Sequence, residues 1–236
     1  MRKASNRSIW IDNPIGRLLV GLANKLYEKG IDIPRETRVC QFWIDQGTHY
    51  MEDQTTLPER RKLGLKKQEE ALIEFLKDLR FRNILEVGCG YGRILKLVGD
   101  SFDARLVGID LSRDQLTRVR GYVRGRGVDL SQQAISNLAY ADETFDIVFS
   151  CNVLLHVPPN KLRRALGEMT RVSKRHIVLM EPYKGDNANF RKSFCWDHDY
   201  AAYFSKLEIA SIEQRKVQME EKGFNRIIHV EKRTSP

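Results

Sequence analysis

From residue 82 onward, short apolar runs alternate with stretches whose apolar residues recur at helical spacing. The runs are rich in Ile, Val and Leu, as in RNILEVG, ARLVGID and FDIVFSC, and stretches such as SRDQLTRVRGYV and NKLRRALGEMTRV separate them. Short apolar strands that are separated by helices indicate β-α-β units and a parallel sheet with both faces buried. We therefore predict a doubly wound α/β domain over residues 82–236.

The end of this domain has a different pattern. The segments KLEIASIEQRKV and FNRIIHVEKR flank QMEEKG and are typical of two longer, partly alternating strands that are joined by a tight connection. Such a pair belongs at the edge of a sheet, where one antiparallel partner is common. The prediction is a mostly parallel, seven-stranded sheet with an antiparallel C-terminal edge pair.

Residues 1–81 precede this pattern, and we predict that they form an N-terminal helical extension. Asn13-Pro14 places a side-chain acceptor and then a proline at the start of a helix, which continues with apolar residues at helical spacing to Gly30. A second helical segment runs from about Pro58 to Leu79, and the intervening QFWIDQGTHYM is aromatic and irregular. The extension is expected to act as a lid over a ligand cleft, or to pack on the outer helices of the sheet.

The composition is that of a globular protein. The chain has 236 residues, of which 42% are hydrophobic and 30% are charged. The longest nearly uncharged apolar stretch, from Ile147 to Val157, is too short for a membrane helix, and the first residues have no apolar core for secretion. The four cysteines lie far apart without a C-x-x-C pair, so we predict reduced thiols, no metal site and a soluble cytoplasmic protein.

The charge balance is basic, with 40 Lys and Arg residues against 31 Asp and Glu residues. This balance permits an anionic partner without identifying one, because the excess is spread along the chain. The densest cluster consists of Arg113, Arg118, Arg120, Arg124 and Arg126. On a helix these side chains form either a stripe that faces phosphates or a solvated surface, and we favour the solvated surface.

The most informative segment is a strand, from Ile84, that runs directly into a glycine loop and then into a helix. The glycines of EVGCGYGR let the backbone approach a ligand closely, and the free amides of a helix N-terminus bind a carboxylate or phosphate. The spacing of Gly88, Gly90 and Gly92 differs from the dinucleotide fingerprint, since Arg93 stands where that pattern has its third glycine. Glu86 adds a carboxylate that repels phosphates and favours a cationic ligand.

Asp110 ends the next predicted strand, in LVGID. A carboxylate at this end of a parallel strand accepts hydrogen bonds from the two hydroxyl groups of a ribose. The alternative is that Asp110 caps the helix that follows Leu111 and Ser112.

Together these features resemble the class I S-adenosylmethionine-dependent methyltransferases. EVGCGYGR is similar to the first motif of that family, Asp110 falls on its ribose-binding position, and NLAYADETFDIVFSCNVLLHV and RHIVLMEP resemble its fourth and fifth strands. The resemblance implies that the cofactor is S-adenosyl-L-methionine. It also implies the cofactor-binding residues: Glu86, Gly88, Cys89, Gly90 and Gly92 for the methionine part, Asp110 and Leu111 for the ribose and adenine, and the backbone of Cys151 and Asn152 for the amino group.

One position departs from the family pattern. Ala134 stands where many members carry an acidic residue for the adenine amino group. The resemblance then implies that Ala134 lies at the adenine site, and that the adenine is held by the packing of Ile135 and Leu111 and by backbone amides. Gln133 or Asn137 is a possible polar substitute for the acidic residue.

Candidate acceptor-binding residues follow the fourth and fifth strands, because ligands of open α/β sheets bind beyond the carboxyl ends of the strands. The polar side chains there are Asn152, His156, Glu181, Tyr183, Asp197, His198 and Tyr200, and the extension offers Trp43, His49 and Tyr50 for stacking. We predict His198 as the general base, because flanking acids are expected to raise its pKa, and His156 as the second candidate. Packing or helix-capping roles are the alternatives for both regions, with Asp197 or Asp199 as the cap and Tyr200 in the core.

The prediction for function is methyl transfer from S-adenosylmethionine to an oxygen or nitrogen atom of a small molecule, a sugar or a natural-product precursor. An RNA-modifying methyltransferase is the alternative that the basic charge supports. The other alternative is a protein that binds the cofactor without catalysis, against which the complete set of Glu86, the glycines and Asp110 counts. The sequence does not predict the oligomeric state.

Overall fold

The computed structural model describes residues 22, 25, 26, 29, 43, 44, 56–123, 125, 127–182, 195–207, 209–220 and 223–233. In chain order the helices and strands are α1 (Glu59–Leu76), β1 (Asn83–Val87), α2 (Arg93–Ser101), β2 (Arg105–Asp110), α3 (Arg113–Tyr122), β3 (Val128–Gln132), β4 (Phe145–Cys151), α4 (Pro159–Val172), β5 (Ser173–Glu181), α5 (Tyr200–Phe204), β6 (Ile209–Glu220) and β7 (Gly223–Lys232). A short 3-10 turn, Leu154–His156, lies between β4 and α4.

The strands form a seven-stranded sheet in the order β3-β2-β1-β4-β5-β7-β6. Strands β1 to β5 are parallel to their neighbours, whereas β7 is antiparallel to both β5 and β6. This arrangement confirms the predicted fold class, including the antiparallel edge pair. The strand order reverses between β1 and β4, so a crevice is expected at the carboxyl ends of these two strands.

The central strands are apolar at successive positions because both faces of the sheet are covered. Ile84 and Leu85 of β1 are both fully buried and belong to two different core clusters, since successive side chains of a strand point to opposite faces. Leu166 of α4 packs in the cluster that contains Leu85, and Leu95 of α2 packs in the cluster that contains Ile84. The continuous apolar runs in the sequence are therefore explained by helices on both sides of the sheet.

Helix α1 confirms the predicted helical segment after Pro58. Leu72 and Leu76 are fully buried in the core cluster that also holds Ile84 of β1 and Val217 of β6, so α1 packs on one face of the sheet. Most of the helix predicted between Asn13 and Gly30 lies outside the described residues, although residues 22, 25 and 26 are helical. The division of the chain at residue 81 stays a prediction.

The tail of the chain forms the edge pair through a connection shorter than the pattern indicated. Strands β6 and β7 extend into the predicted QMEEKG connection, so Glu220 of β6 pairs with Gly223 of β7. Strand β7 lies between β5 and β6, and Ile227, Ile228 and Val230 are buried there. No helix among the described residues is long and apolar enough to cross a membrane.

Helix α3 carries part of the arginine cluster. Leu116 and Val119 are buried on its inner side, whereas Arg113 and Arg120 are exposed. Arg124 and Arg126 lie outside the described residues. The exposed positions of Arg113 and Arg120 agree with the solvated surface that we favoured.

Candidate functional site

A cavity of about 280 Å³ opens at the carboxyl ends of β1, β2 and β4. Its walls come from the glycine loop, the residues after β2 and β3, the turn after β4 and the first part of α4. The predicted residues that line it are Trp43, Gly88, Gly90, Asp110, Leu111, Gln133, Ala134, Ile135, Cys151, Asn152 and His156. A second hollow, lined by Phe81, Phe102 and Asp146, lies near the amino ends of β1 and β4 and brings none of the predicted site residues together.

The glycine loop is shaped by close packing at two of its glycines. Gly88 has a φ of +71°, and a Cβ atom there would lie 2.5 Å from Cγ2 of Val153. Gly92 has a φ of +90°, and its Cβ atom would lie 2.8 Å from Cγ1 of Val119. The first glycine therefore lets the turn after β4 approach the loop, and the third lets α3 pack beside the start of α2.

Asp110 joins the end of β2 to the glycine loop. Its Oδ2 atom accepts a hydrogen bond from the amide of Gly90 at 2.9 Å, and its Oδ1 atom accepts one from the amide of Ser112 at 2.8 Å. Burial raises the pKa of Asp110, and these amides oppose the rise. Ser112, whose side chain accepts from the amide of Gln115, is the N-cap of α3, so Asp110 is not the cap. A carboxylate has about four acceptor positions, which leaves acceptor capacity for a ligand hydroxyl.

The loop after β3 forms the wall on the far side of Asp110. Ala134 and Ile135 of this loop line the cavity together with Leu111, which follows β2, and their contact with an adenine stays a prediction. Gln133 also lines it, but its Oε1 atom accepts from the amide of Ala139 at 2.8 Å and its Nε2 atom donates to Ser131 at 2.9 Å. The side chain of Gln133 is therefore held within the loop.

Gln115 is a residue of this wall that the sequence analysis missed. It lines the cavity, is buried, and has an Oε1 atom with no hydrogen-bond partner among the described residues. The sequence carried no local signal for it, because Leu111 precedes the N-cap Ser112 and therefore shares no helical face with Gln115. A buried amide oxygen without a partner is costly, which makes it a suitable acceptor for a ligand hydroxyl or amino group.

Helix α4 fixes the same loop from behind. The Arg171 guanidinium donates to the carbonyl oxygens of Leu138 and Tyr140, both at 2.8 Å, while Glu168 accepts from the Leu138 amide at 2.8 Å. Arg164 donates through Nε to the carbonyl oxygen of Ser136 at 2.8 Å. These bonds hold the wall that faces Asp110 in one shape.

Asn152 forms a locked turn at the end of β4. Its φ of +57° is unusual for a residue with a side chain, and its amide donates to the carbonyl oxygen of Met180 at 3.0 Å. Its side chain donates to Gln68 Oε1 at 3.2 Å and accepts from Asn225 Nδ2 at 2.7 Å. Helix α1, which carries Gln68, and strand β7, which carries Asn225, thus hold the backbone that the resemblance assigns to the cofactor amino group.

Three predicted cofactor residues lie behind the cavity wall. Glu86, Cys89 and Gly92 do not line the cavity, and Glu86 is only 2% exposed. Burial raises the pKa of Glu86 well above its usual value, while Arg93, which pairs with Glu69 of α1, opposes the rise. The Oε2 atom of Glu86 has no partner among the described residues.

On the acceptor side, only some of the predicted residues reach the cavity. His156 and Trp43 line it, and their ring centroids lie 4.0 Å apart. Glu181 and Tyr200 are fully buried, and neither they nor Asp197, which is exposed, line the cavity. Tyr50 and Tyr183 lie outside the described residues, as does His49.

His198 is buried beside the turn after β4. Its Nε2 atom lies 2.9 Å from the carbonyl oxygen of Val157, and burial lowers the pKa of His198 to about 4. The expected rise in this pKa is wrong, because Asp197 is exposed and Asp199 caps α5 by accepting from the amide of Ala202 at 3.0 Å. The proposed capping role of Asp199 is confirmed, and the catalytic role of His198 stays a prediction.

Glu181 gives the stability of the protein a measurable dependence on pH. Burial raises its pKa to about 7. The folded state therefore holds a proton that the unfolded chain releases near its ordinary pKa, so Glu181 makes the fold less stable as pH rises from about 4.5 to about 7. In chemical denaturation, wild type should lose up to about 3 kcal/mol relative to Glu181→Gln across this range.

Glu231 provides the control for this measurement, since its pKa is lowered by a hydrogen bond from Arg175. As pH rises through about 4.5, the ordinary pKa of a glutamate, wild type should therefore gain folding stability relative to Glu231→Gln, which is the opposite of its behaviour relative to Glu181→Gln. Equal slopes for wild type and Glu181→Gln would contradict the raised pKa of Glu181.

The fold and the cavity limit the kinds of ligand that this site suits. A Rossmann-like sheet, a glycine loop without the dinucleotide spacing, and a carboxylate at the end of β2 meet at one cavity, where ligands of open α/β sheets bind. Residues 84–176 match the family model described as a methyltransferase domain. This part of the chain is therefore similar to the methyltransferase domains of that family, a class whose methyl donor is S-adenosylmethionine.

Curated relatives match about half of this chain. A probable methyltransferase, ltbC, of Aspergillus luteorubrus is 35% identical over 119 residues, which are 46% of this chain and 41% of the relative. A phosphatidylethanolamine N-methyltransferase of Cereibacter sphaeroides is 31% identical over 134 residues, which are 50% of this chain and 64% of the relative. The chain thus spans less than two thirds of the length of each of these relatives.

Solved structures extend the likeness of fold to most of the chain. The magnesium protoporphyrin IX methyltransferase of Synechocystis, crystallised with S-adenosylhomocysteine, has a TM-score of 0.66 at 15% identity and covers 82% of this chain and 99% of its own. The N-methyltransferase NodS of Bradyrhizobium japonicum has a TM-score of 0.64 at 16% identity, with coverage of 79% and 98%.

Proposed function

We propose that this protein transfers the methyl group of S-adenosylmethionine to an oxygen or nitrogen atom of a small molecule, such as a sugar or a natural-product precursor. The observation that carries the proposal is the single cavity that joins the glycine loop and Asp110 to His156. One end of this cavity has the groups that suit the cofactor, and the other end has a titratable ring. A methyl donor and an acceptor need to meet in such a space.

The residues around the cavity fit the cofactor. The backbone of Gly88 and Gly90, with that of Cys151 and Asn152, would hold its methionine part, and the free acceptor capacity of Asp110 suits the ribose. Leu111, Ala134 and Ile135 would pack on the adenine, and Gln115 offers its buried acceptor. When bound, S-adenosylmethionine supplies a methyl group activated on a sulfonium.

His156 is the side chain that we assign to the acceptor end. Its Nδ1 atom lies 3.5 Å from Sγ of Cys195. Burial raises the pKa of Cys195 to about 12, so the thiol keeps its proton, and its contact with Nδ1 is a hydrogen bond whose direction depends on the tautomer of His156. A histidine held in this way orients a hydroxyl or amine acceptor and exchanges a proton with it.

The relatives support a small acceptor. Several of those that match the chain are named as sterol C-methyltransferases or phosphoethanolamine N-methyltransferases. The oxygen or nitrogen atom of our proposal rests on His156, because a proton-exchanging group helps most when the acceptor loses a proton.

Calorimetric titration of S-adenosylhomocysteine tests the cofactor assignment. Wild type should bind this ligand and should not bind NAD. Asp110→Ala should weaken binding by about 1.5 to 3 kcal/mol, the typical contribution of hydrogen bonds to a charged group. Asp129→Ala, which changes an exposed carboxylate on β3, is the matched control and should bind like wild type.

Two outcomes would contradict the proposal. Binding of NAD without S-adenosylhomocysteine would refute the cofactor assignment. Binding of S-adenosylhomocysteine, but no product from a panel of hydroxyl and amine acceptors incubated with S-adenosylmethionine, would favour the alternative of a protein that binds the cofactor without catalysis.

A further inference from the structure

The turn from Val153 to Val157 carries His156 into the cavity, and two buried polar side chains hold this turn. We propose that Glu181 and His198 are positioning residues, which fix the turn and through it His156, and that neither of them contacts the acceptor. That the position of His156 matters for catalysis rests on the proposed function, whereas the fixing of the turn by Glu181 and His198 is independent of it.

Glu181 holds the start of the turn. Its Oε1 atom accepts hydrogen bonds from the amides of Val153 at 2.9 Å and Leu154 at 3.1 Å, and from the hydroxyl of Ser150 at 2.9 Å. These amides begin the 3-10 turn and have no earlier carbonyl of that turn to bond. Glu181 ends β5, which is paired with β4, so the carboxylate joins the turn to the rigid centre of the sheet.

His198 holds the end of the turn. Because a carbonyl oxygen only accepts, the 2.9 Å contact between Nε2 of His198 and the oxygen of Val157 places the ring proton on Nε2. The amide of Trp196 donates to the carbonyl oxygen of Leu155 at 2.8 Å, and Cys195 contacts His156. Residues 195–198 therefore run along the turn and bond to successive parts of it.

The burial of both side chains separates them from the acceptor. Glu181 is 0% exposed and His198 is 5% exposed, and neither lines the cavity that His156 and Val157 line. The nitrogen of His198 that carries the proton already donates a hydrogen bond to the carbonyl oxygen of Val157. Their contacts are with the backbone of the turn, which is where a positioning residue acts.

Hydrogen exchange at the amides of His156 and Val157, measured by NMR without any acceptor, tests the proposal. These amides close the turn by donating to the oxygens of Val153 and Leu154. Glu181→Leu and His198→Leu should each raise their exchange rates by about 10-fold, the factor for the loss of one hydrogen bond of about 1.4 kcal/mol. The affinity for S-adenosylhomocysteine should stay within about threefold of wild type, a difference below one such bond.

Conservative variants and a control variant separate positioning from a general loss of stability. Glu181→Gln keeps an acceptor oxygen and His198→Gln keeps a donor, so both should restore slow exchange and the wild-type ring signal of His156, which is identified by its loss in His156→Asn. His176→Leu is the control, because His176 is buried on the same strand as Glu181 but near its amino end. Its exchange rates in the turn should equal those of wild type.

Two results would overturn the proposal. One is unchanged exchange in folded Glu181→Leu and His198→Leu. The other is that Glu181→Gln and His198→Gln keep slow exchange in the turn but lose as much turnover as the Leu variants. That result would mean that Glu181 and His198 act on the acceptor directly. Failure of wild type to bind S-adenosylhomocysteine would refute the proposed function alone, because the exchange measurement needs no ligand.

Discussion

Gly88→Ala is expected to lower the free energy of unfolding by about 2 to 5 kcal/mol, as a sum of two costs. The left-handed backbone costs about 1 to 2 kcal/mol for a residue with a Cβ atom, and overpacking in a dense core costs about 1 to 3 kcal/mol. The overpacking arises because the added carbon would lie 2.5 Å from Val153. The loop and the turn after β4 would then move apart, which should also weaken the binding of S-adenosylhomocysteine. Chemical denaturation and calorimetric titration of S-adenosylhomocysteine measure the two effects.

A second substitution separates the steric clash from the backbone strain. Val153→Ala removes both methyl groups that the new Cβ atom would meet, so Gly88→Ala with Val153→Ala should recover part of the affinity. The strain of the positive φ and a 3.2 Å contact with Cβ of residue 153 would remain. Gly127→Ala is the control, because a Cβ atom there would meet nothing within 4 Å. Wild-type affinity in Gly88→Ala would show that this close approach does not shape the cavity.

His156→Ala is expected to lower turnover by about 10² to 10⁴ while the affinity for S-adenosylhomocysteine stays nearly unchanged, because the ring serves the acceptor and not the cofactor. Steady-state kinetics with the first acceptor found, together with calorimetric titration of S-adenosylhomocysteine, measure these effects.

The control for this prediction is His176→Gln, which changes a buried histidine at the amino end of β5 and should keep full turnover. Cys195→Ser and Cys195→Ala form a second comparison. The serine hydroxyl both donates and accepts, so Cys195→Ser keeps a hydrogen-bond partner for Nδ1 and should stay close to wild type. Cys195→Ala removes that partner and should lower turnover less than His156→Ala does. Full turnover in a well-folded His156→Ala would mean that methyl transfer here depends on alignment alone.

The cofactor end of the site was predictable because its residues are local in sequence. A glycine needed for close approach and a carboxylate at the end of a strand are marked by their neighbours, so Gly88 and Asp110 were predicted to bind the cofactor, and both line the cavity. Glu86 was predicted from the same motif, but it is buried and does not line the cavity.

The acceptor end was less predictable because its residues meet only in the folded chain. His198 and His156 are 42 positions apart in the sequence, and the contact of His198 is with a backbone carbonyl, which any residue has. The pKa of His198 was predicted to rise because two acids flank it in the sequence. It falls, because burial removes water from the ring and the acids point elsewhere.

The sequence by itself determined the fold of helices on both faces of a sheet. The spacing of apolar residues predicts which segments form helices or strands and how many faces of each are buried. It also determined the cofactor motif, in which Gly88 and Asp110 follow directly from strand ends. Only the tertiary structure decided that Gln115 faces the cavity, that Glu181 lies beneath the turn of His156, and that His198 closes it. The physical reason is that burial and hydrogen bonding depend on which chain segments become neighbours, and residues distant in sequence carry no local mark of that contact.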